Sequence, residues 1–213
     1  MNRIAFTDYE AAHEINNAFD RRLQRERVLI VLLGPSGVGK SSLIGGLIEK
    51  CHLPLSYVKP IVTRPNRPGE TDKISVDDDT FDAIEADGGL VSVNNLYGVR
   101  YGTPLSEIVT PLEQGRVPIM DFPLARIDLL KRPEFDTLNF YVFPDTIGNW
   151  VARSAAAGRA DNGRLEAGLD ELRTLEQSGF EHPDVDIRLV NPESGVEGAV
   201  KSVIQTLATV VRS

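Results

Sequence analysis

Residues 27–50 read RVLIVLLGPSGVGKSSLIGGLIEK, and this stretch decides the fold. An apolar run, residues 28–33, leads into residues 34–41, which match the pattern G-x-x-x-x-G-K-[ST]. An amphipathic segment follows, with these apolar residues on one face: Leu43, Ile44, Leu47 and Ile48. A strand before the pattern and a helix after it distinguish a phosphate-binding loop from a glycine-rich turn that matches by chance. The stretch therefore predicts a site for ATP or GTP.

The residue types in this loop suit the binding of a polyphosphate. Glycines allow the backbone to wrap tightly and to direct successive N–H groups inward, and the helix that follows adds its positive end. We expect Lys40 to pair with the outer phosphates and the Ser41 hydroxyl to ligate Mg²⁺. The predicted nucleotide-binding residues of the loop are Gly34, Ser36, Gly37, Val38, Gly39, Lys40, Ser41 and Ser42.

The composition is that of an ordinary globular protein. The 213 residues are 41% hydrophobic and 25% charged, enough for one sizeable core. The net charge of −8 argues against sequence-independent binding to nucleic acids or to anionic membranes, which requires a basic surface. The single cysteine, Cys51, excludes an internal disulfide. With no long apolar run and no signal-peptide pattern, the expected location is the cytoplasm. The composition does not indicate an oligomeric state.

The first part of the chain predicts an arm and an inserted lobe. Residues 1–26 are polar and charged, with Ala11, Ala12, Ile15 and Phe19 at helical intervals, which predicts an amphipathic helix that lies against the core or binds a partner. Residues 53–104 alternate short strand-like pieces with Pro and Gly breaks, around one helical patch at residues 79–86. Three aspartates, at 77–79, lie at the start of that patch, and we interpret them as a helix cap and first turn in preference to a metal cluster.

The second part of the chain continues the alternation of strands and helices. Residues 117–121 predict a core strand whose final residue, Asp121, lies beside the phosphate loop, where an acid can hold Mg²⁺ directly or through water. Further elements are predicted at 124–131 (helix), 138–143 (strand), 187–190 (strand) and 195–211 (helix). This order indicates an α/β fold with a mostly parallel sheet covered on both faces.

An arginine-rich helical stretch, residues 149–177, predicts a lid. Gly158 and the turn at 161–163 divide it into two pieces. Arginines near such a turn can neutralise charge on a phosphoryl group in transfer, although any one of them is equally suited to a solvated surface. Its arginines are Arg153, Arg159, Arg164 and Arg173.

With these motifs, the chain resembles the guanylate kinase family of nucleoside monophosphate kinases over residues 26–212. Residues 63–70, TRPNRPGE, resemble the family pattern T-R-x-x-R-x-G-E, and residues 101–103, YGT, resemble Y-G-[ST]. Residues 164–172, RLEAGLDEL, resemble the helix after the lid turn, and residues 190–191, VN, resemble the V-N near which the family holds adenine. The order and spacing of these four matches also agree with the family.

The resemblance implies a P-loop three-layer core with an acceptor-binding lobe at about 54–105 and a helical lid at about 149–177, preceded by the arm at 1–26. It implies transfer of the ATP γ-phosphoryl group, with Mg²⁺, to a nucleotide or another phosphorylated small molecule. In this interpretation Lys40, Arg153, Arg159 and Arg164 are catalytic. Asn191 contacts the nucleotide, and Ser41 and Asp121 hold the metal. The acceptor-binding residues are Arg64, Arg67, Glu70, Tyr101 and Thr103.

Two of the departures from the family pattern fall where the family reads guanine. The glutamate that reads the guanine edge aligns with Ser92, and a second acid that touches the base falls on Pro123. A serine before the first arginine is replaced by Pro60, and a phosphate-binding tyrosine is missing near Lys73. Losing buried polar partners costs about 1–3 kcal/mol each, so we expect weak guanine selection unless other residues compensate, for which Asn94, Asn95 and Thr103 are candidates.

Three functions remain open from the sequence. The first is phosphorylation of a nucleoside monophosphate, with GMP the nearest by family. The second is phosphorylation of another phosphorylated small molecule, such as ribose 1,5-bisphosphate, although the kinases of that compound typically lack the second arginine, which is Arg67 here. The third is a non-catalytic binding module, and such modules tend to lose the phosphate loop that this chain keeps.

Overall fold

Five parallel strands form the core sheet of the computed structural model, which describes residues 27–96, 98–156, 162–191 and 196–210. Their order across the sheet is β2-β7-β1-β8-β9. The strands are β1 (Val28–Leu33), β2 (Leu55–Tyr57), β7 (Val117–Asp121), β8 (Asp136–Pro144) and β9 (Ile187–Asn191). The predicted α/β class with a mostly parallel sheet is confirmed.

The central strand β1 explains why this sheet forms. Every residue from Leu29 to Leu33 has at most 1% of its surface exposed, because both faces of the sheet are covered. A continuous run of branched apolar residues suits that position, in which neither face meets water. Strand β1 pairs with β7 on one side and with β8 on the other, and Leu32 is opposite both Asp121 and Phe140.

A second sheet of four strands lies in the chain between β2 and β7. Its order is β4-β3-β6-β5, with β3 antiparallel to β6 and β5 antiparallel to β6. The strands are β3 (Ile61–Val62), β4 (Ile74–Ser75), β5 (Leu90–Leu96) and β6 (Val99–Pro104). We refer to this sheet and its helix as the lobe. Because β2 leads into the lobe, the lobe leaves the core sheet from the carboxyl end of that strand, on the same side as the phosphate loop.

Six α-helices accompany the two sheets in the described part of the chain. They are α1 (Lys40–Lys50), α2 (Asp78–Ala86), α3 (Ser106–Glu113), α4 (Ile147–Ala156), α5 (Asn162–Gln177) and α6 (Val196–Val210). No helix within the described residues is long and apolar enough to cross a membrane. The arm at 1–26 and the turn at 157–161, which includes Arg159, lie outside the described residues.

The aspartate run caps helix α2, as predicted. The Asp77 carboxylate accepts a 2.8 Å hydrogen bond from the backbone N–H of Thr80, and Asp78 and Asp79 lie in the first turn, where the helix dipole favours negative charge. No group of three or more potential metal-ligating acids, histidines or cysteines occurs among the residues that the structure describes.

The helix predicted at 124–131 is present. Leu124–Leu130 forms a 3₁₀-helix, in which Leu124, Ile127 and Leu130 are buried. Their spacing of three residues matches the three residues per turn of a 3₁₀-helix, so all three point to the core.

Candidate active site

Three glycines shape the loop between β1 and α1. Gly34, Gly37 and Gly39 have φ values of 126°, 80° and 105°, which favour glycine. A side chain at Gly34 would lie 2.5 Å from the carbonyl oxygen of Val142, and one at Gly37 would lie 2.6 Å from Ser154 Oγ. The loop therefore has the backbone conformation and the close packing that only glycine allows at these positions.

Lys40 extends back over this loop from the first turn of α1. Its Nζ donates hydrogen bonds to the carbonyl oxygens of Gly34 at 2.6 Å and Pro35 at 3.0 Å. Ser41 follows it in the same turn, and its side chain is exposed. An ammonium held at the mouth of a glycine loop, at the positive end of a helix, is suited to bind the outer phosphates of a nucleotide.

Asn191 borders the other side of the loop, at the end of β9. Its Nδ2 donates a 2.7 Å hydrogen bond to the carbonyl oxygen of Val38, and a side chain at Gly39 would overlap that amide nitrogen. The residue is 9% exposed, and its Oδ1 is buried with no hydrogen-bond partner among the described residues. A buried acceptor without a donor is costly, so this oxygen suits a ligand that carries a donor, such as an amino group.

Trp150 of helix α4 joins the loop to both helices of the lid region. Its side chain is fully buried, and its Nε1 donates a 2.8 Å hydrogen bond to the carbonyl oxygen of Ser36. A side chain at Gly168 of α5 would lie 2.8 Å from the Trp150 ring and 2.9 Å from Pro35. Ser154, one turn after Trp150, is 3% exposed, and its Oγ has no partner among the described residues. The loop, α4 and α5 are thus packed around one indole.

The lid arginines differ in their surroundings. Arg153 contacts Asp145, with Nη1 at 3.2 Å and Nη2 at 3.3 Å from Oδ1, while Asn149 donates to Oδ2 at 2.8 Å. Burial alone would raise the pKa of Asp145, but these hydrogen bonds hold it below its ordinary value. Arg164 lies exposed in the first turns of α5. In this structure Arg153 is therefore tied to the start of its own helix.

Asp121 lies beside the phosphate loop because of the sheet register. It is opposite Leu32 of β1, two residues before Gly34. Tyr57 lies at the end of the neighbouring strand β2. Burial raises the pKa of its hydroxyl, and the negative charges of Asp121 and Asp72 raise it further. A carboxylate and a serine hydroxyl, completed by phosphate oxygens, are the hard ligands that Mg²⁺ prefers. Asp121 and Ser41 therefore fit the metal that the family resemblance implies.

The lobe carries a compact cluster of charges around Glu70. The Arg64 guanidinium donates two hydrogen bonds to the Glu70 carboxylate, from Nη1 to Oε2 at 2.7 Å and from Nη2 to Oε1 at 2.8 Å. Lys73 Nζ lies 3.1 Å from Oε1, and the backbone N–H of Arg67 donates to Oε2 at 3.1 Å. These contacts, that with Arg64 foremost, hold the pKa of Glu70 far below its ordinary value. Glu70 therefore acts on this cluster by orienting Arg64.

Tyr101 and Thr103, both on β6, extend this part of the lobe. The hydrogen bond with Glu70 foremost, and then the interaction with the Tyr101 side chain, raise the pKa of Arg64. Thr103 is 7% exposed, and its hydroxyl lies 3.0 Å from that of Ser92. The side chain of Arg67 is exposed. The structure thus brings Arg64, Glu70 and Tyr101 together and pairs Thr103 with Ser92.

Sequence reasoning did not predict Trp150, Ser154, Asp145 or Tyr57 as parts of the site. Trp150 is the single tryptophan of the chain, which is the one signal that marked it. The contact of Trp150 with Ser36 joins residues 114 positions apart, and no local pattern encodes such a contact.

Comparison with known proteins agrees with this geometry. Residues 26–209 match the family model described as guanylate kinase. The chain is 32% identical over 170 residues to a guanylate kinase of Trichodesmium erythraeum, covering 76% of this chain and 87% of the relative. It is 27% identical over 168 residues to a guanylate kinase of a Nostoc species, covering 78% and 82%.

A solved structure has the same fold. The crystal structure of guanylate kinase from Anaplasma phagocytophilum superposes with a TM-score of 0.56 at 18% identity, covering 86% of this chain and 85% of that one. With a family model that spans most of the chain, a relative at 32% identity and a shared fold, the chain belongs to the guanylate kinase family.

Proposed function

We propose that this protein transfers the γ-phosphoryl group of ATP to the phosphate of a nucleoside monophosphate, with GMP the acceptor nearest by family. The observation that carries the proposal is the alignment of Asp121 with Leu32, which sets a carboxylate beside a glycine loop over which Lys40 lies. The lobe, which leaves the same side of the sheet, supplies the guanidinium of Arg64 for a second phosphate.

The reaction needs positioning and charge neutralisation rather than a general base. An oxygen of the acceptor phosphate, already ionised, forms a bond to the γ-phosphorus while the bond from that phosphorus to the β–γ bridging oxygen breaks, and ADP leaves. In-line placement of two reactants can supply much of the rate enhancement. Lys40 binds the outer phosphates of ATP, and Arg64 with Tyr101 binds the acceptor phosphate.

Mg²⁺, held by Ser41 and Asp121, would neutralise negative charge on the ATP phosphates when bound. In our proposal the lid arginines Arg153, Arg159 and Arg164 act on the same charge. One well-placed arginine can contribute about a thousandfold or more to turnover in phosphoryl transfer. For Arg153 this role requires release from Asp145, 3.2 Å away, when the nucleotide binds.

The Arg64 cluster supports a phosphate acceptor as opposed to a neutral one. Glu70 holds the guanidinium in a bidentate geometry, so its donors are ordered before a ligand arrives. Lys73 adds a second cation within 3.1 Å of the same carboxylate. Glu70 and Asp72 pair with these two cations in the structure, Asp72 at 2.8 Å from Lys73, so an acceptor phosphate would compete with both carboxylates for them.

A second candidate acceptor follows from the pair Ser92 and Thr103. Their hydroxyls lie 3.0 Å apart, at the position where the family resemblance places an acidic reader of guanine. Two neutral hydroxyls that already bond one another provide no carboxylate for the guanine edge. This observation favours an acceptor with a different base, or a phosphorylated sugar such as ribose 1,5-bisphosphate.

A coupled assay of ADP release tests the proposal across a panel of acceptors. The panel contains GMP, the other nucleoside monophosphates and ribose phosphates, each with ATP and Mg²⁺. We expect turnover with at least one nucleoside monophosphate. The preference for GMP over the other acceptors should be weaker than in an enzyme that binds guanine through a carboxylate. Lys40→Ala should show no turnover with any acceptor. ATP binding without turnover on any acceptor would refute the proposal and favour a binding module.

A further inference from the structure

An apolar groove borders the lobe, and none of the described residues that line it belongs to the phosphate loop or to the Arg64 cluster. It has a volume of about 570 Å³ between the lobe and helix α3. Its apolar lining comes from β3, from β4 and the residue after it, from α2 and from the start of α3: Ile61, Ile74, Val76, Ile84, Leu105 and Val109. The side chain of Ile74 is 36% exposed, and it is one of three large hydrophobic residues in the described part of the chain that face solvent to this extent.

One end of the groove adjoins the point at which the described chain begins. Glu134 lines the groove, and its carbonyl oxygen accepts a 2.9 Å hydrogen bond from Nε of Arg27. The backbone of Arg27 is fixed as well, since its carbonyl oxygen accepts from the N–H of Asp136 at 2.9 Å. The 26 residues that precede Arg27 therefore join the core next to the groove.

The sequence of that segment is complementary to the groove. Ala12, Ile15, Phe19 and Leu23 recur at intervals of three or four residues, the spacing of one apolar helix face. Arginines 21, 22 and 25 follow this stripe toward the core. Among the described residues, the groove lining contains two acids and no base, Glu107 and Glu134, of which Glu134 also pairs with Arg132 at 3.2 Å. The three arginines outnumber the two acids of residues 11–25, Glu14 and Asp20, so the segment has the charge that this lining favours.

We propose that residues 11–25 of this chain bind in the groove, with Ile15 and Phe19 against its apolar wall and the arginines near Glu107 and Glu134. The eight residues from Phe19 to Arg27 span about 12 Å as a helix and about 26 Å when extended, and Arg27 is hydrogen-bonded to the lining residue Glu134. An amphipathic helix that places residues of spacing i, i+4 in an apolar groove is a recurring mode of recognition. This inference does not depend on the proposed phosphotransferase activity.

Hydrogen exchange of the full-length protein tests the docking without reference to turnover. In Phe19→Ser we expect the backbone amides of residues 74–76 and 105–110 to exchange at least about tenfold faster than in the parent protein. This is the factor that corresponds to the loss of one buried large apolar side chain. The matched control is Phe6→Ser, an aromatic substitution in the same segment but outside the stripe, which should leave these amides unchanged. Equal exchange in Phe19→Ser and the parent protein would overturn the proposal.

A disulfide provides a second test that does not depend on local stability. Cys51 is the single cysteine, so the variant C51S carrying Phe19→Cys and Ile74→Cys has one possible pair. We expect an intramolecular disulfide to form under mild oxidation, whereas the same variant with Phe6→Cys in place of Phe19→Cys should stay reduced. Formation of only dimeric disulfides, or equal oxidation of both variants, would contradict binding within one chain.

Discussion

The indole Nε1 of Trp150 donates a 2.8 Å hydrogen bond to the carbonyl oxygen of Ser36. This bond joins helix α4 to the phosphate loop, and the ring also packs against Gly168 of α5, which lies close to Pro35. Because Trp150 is fully buried, the loop and the two lid helices share one packing contact. A change at this residue should therefore alter nucleotide binding as well as stability.

Trp150→Phe should weaken nucleotide binding more than its stability cost explains. It keeps an aromatic ring but loses the donor to Ser36, and one such hydrogen bond contributes about 0.5–1.5 kcal/mol to the free energy of unfolding. We expect the Kd for ATP, measured by calorimetry, to rise several-fold. Asn139→Ala is the control, because it loses a comparable bond to the Asp184 carbonyl. Unchanged ATP affinity in Trp150→Phe would show that the indole serves packing alone.

Gly168→Ala should destabilise the protein, whereas Gly163→Ala should not. Both glycines lie in helix α5, but a Cβ at Gly168 would lie 2.8 Å from the Trp150 ring, while one at Gly163 meets nothing within 4 Å. Overpacking costs about 1–3 kcal/mol, and alanine in an open helical position gains up to about 1 kcal/mol. Urea denaturation of the two variants measures the difference. Equal midpoints would mean that α5 does not pack on the indole as described.

Arg64→Ala should raise the KM of the acceptor and lower kcat, with the Kd for ATP nearly unchanged. The guanidinium is held by Glu70 in the lobe, away from the contacts of Lys40 in the loop. Arg64→Lys is the matched variant, because lysine keeps the positive charge but lacks the two parallel N–H donors of the guanidinium. We expect its kcat and acceptor KM to lie between those of Arg64→Ala and the parent protein. Steady-state kinetics with varied acceptor and varied ATP separate the two effects. A change confined to ATP would contradict the assignment of Arg64 to the acceptor.

The contribution of Glu70 to stability should depend on pH. The folded state holds the pKa of Glu70 below its ordinary value of 4.5. The ionised carboxylate therefore stabilises the folded state at pH values above about 4.5, and this contribution is lost as the pH falls below 4.5. The difference in unfolding free energy between the parent protein and Glu70→Gln should therefore be constant from about pH 6 to 7 and shrink below about pH 4.5. Urea titrations at a series of pH values measure this, and a difference that widened toward low pH would have the wrong sign.

The parts of the fold that local chemistry determines were predictable from sequence. Apolar residues 28–33 followed by a glycine loop and an amphipathic segment indicated β1 and α1, and Asp77 indicated the start of α2. The helix at Leu124–Leu130 was predicted without its 3₁₀ type, because the same apolar residues suit three or 3.6 residues per turn over so short a segment.

The contacts that build the candidate site were less predictable. Arg64 and Glu70 were both predicted to contact the acceptor. In the structure the Glu70 carboxylate accepts hydrogen bonds from the Arg64 guanidinium and from the backbone N–H of Arg67, a pairing that the sequence pattern did not predict. The contact of Trp150 with Ser36 depends on where α4 packs after β8, which no local pattern specifies. Residue types thus predicted which chemistry is present, while long-range packing decides which groups meet.

Transfer of labelled phosphate tests the central claim most directly. ATP labelled at the γ-phosphate is incubated with the protein, Mg²⁺ and GMP, or with whichever acceptor the panel selects, and the products are separated. We predict one labelled acceptor product for each ADP formed, with none in Lys40→Ala and much less in Arg64→Ala. Release of the label as inorganic phosphate alone, or no release with any acceptor, would contradict the account.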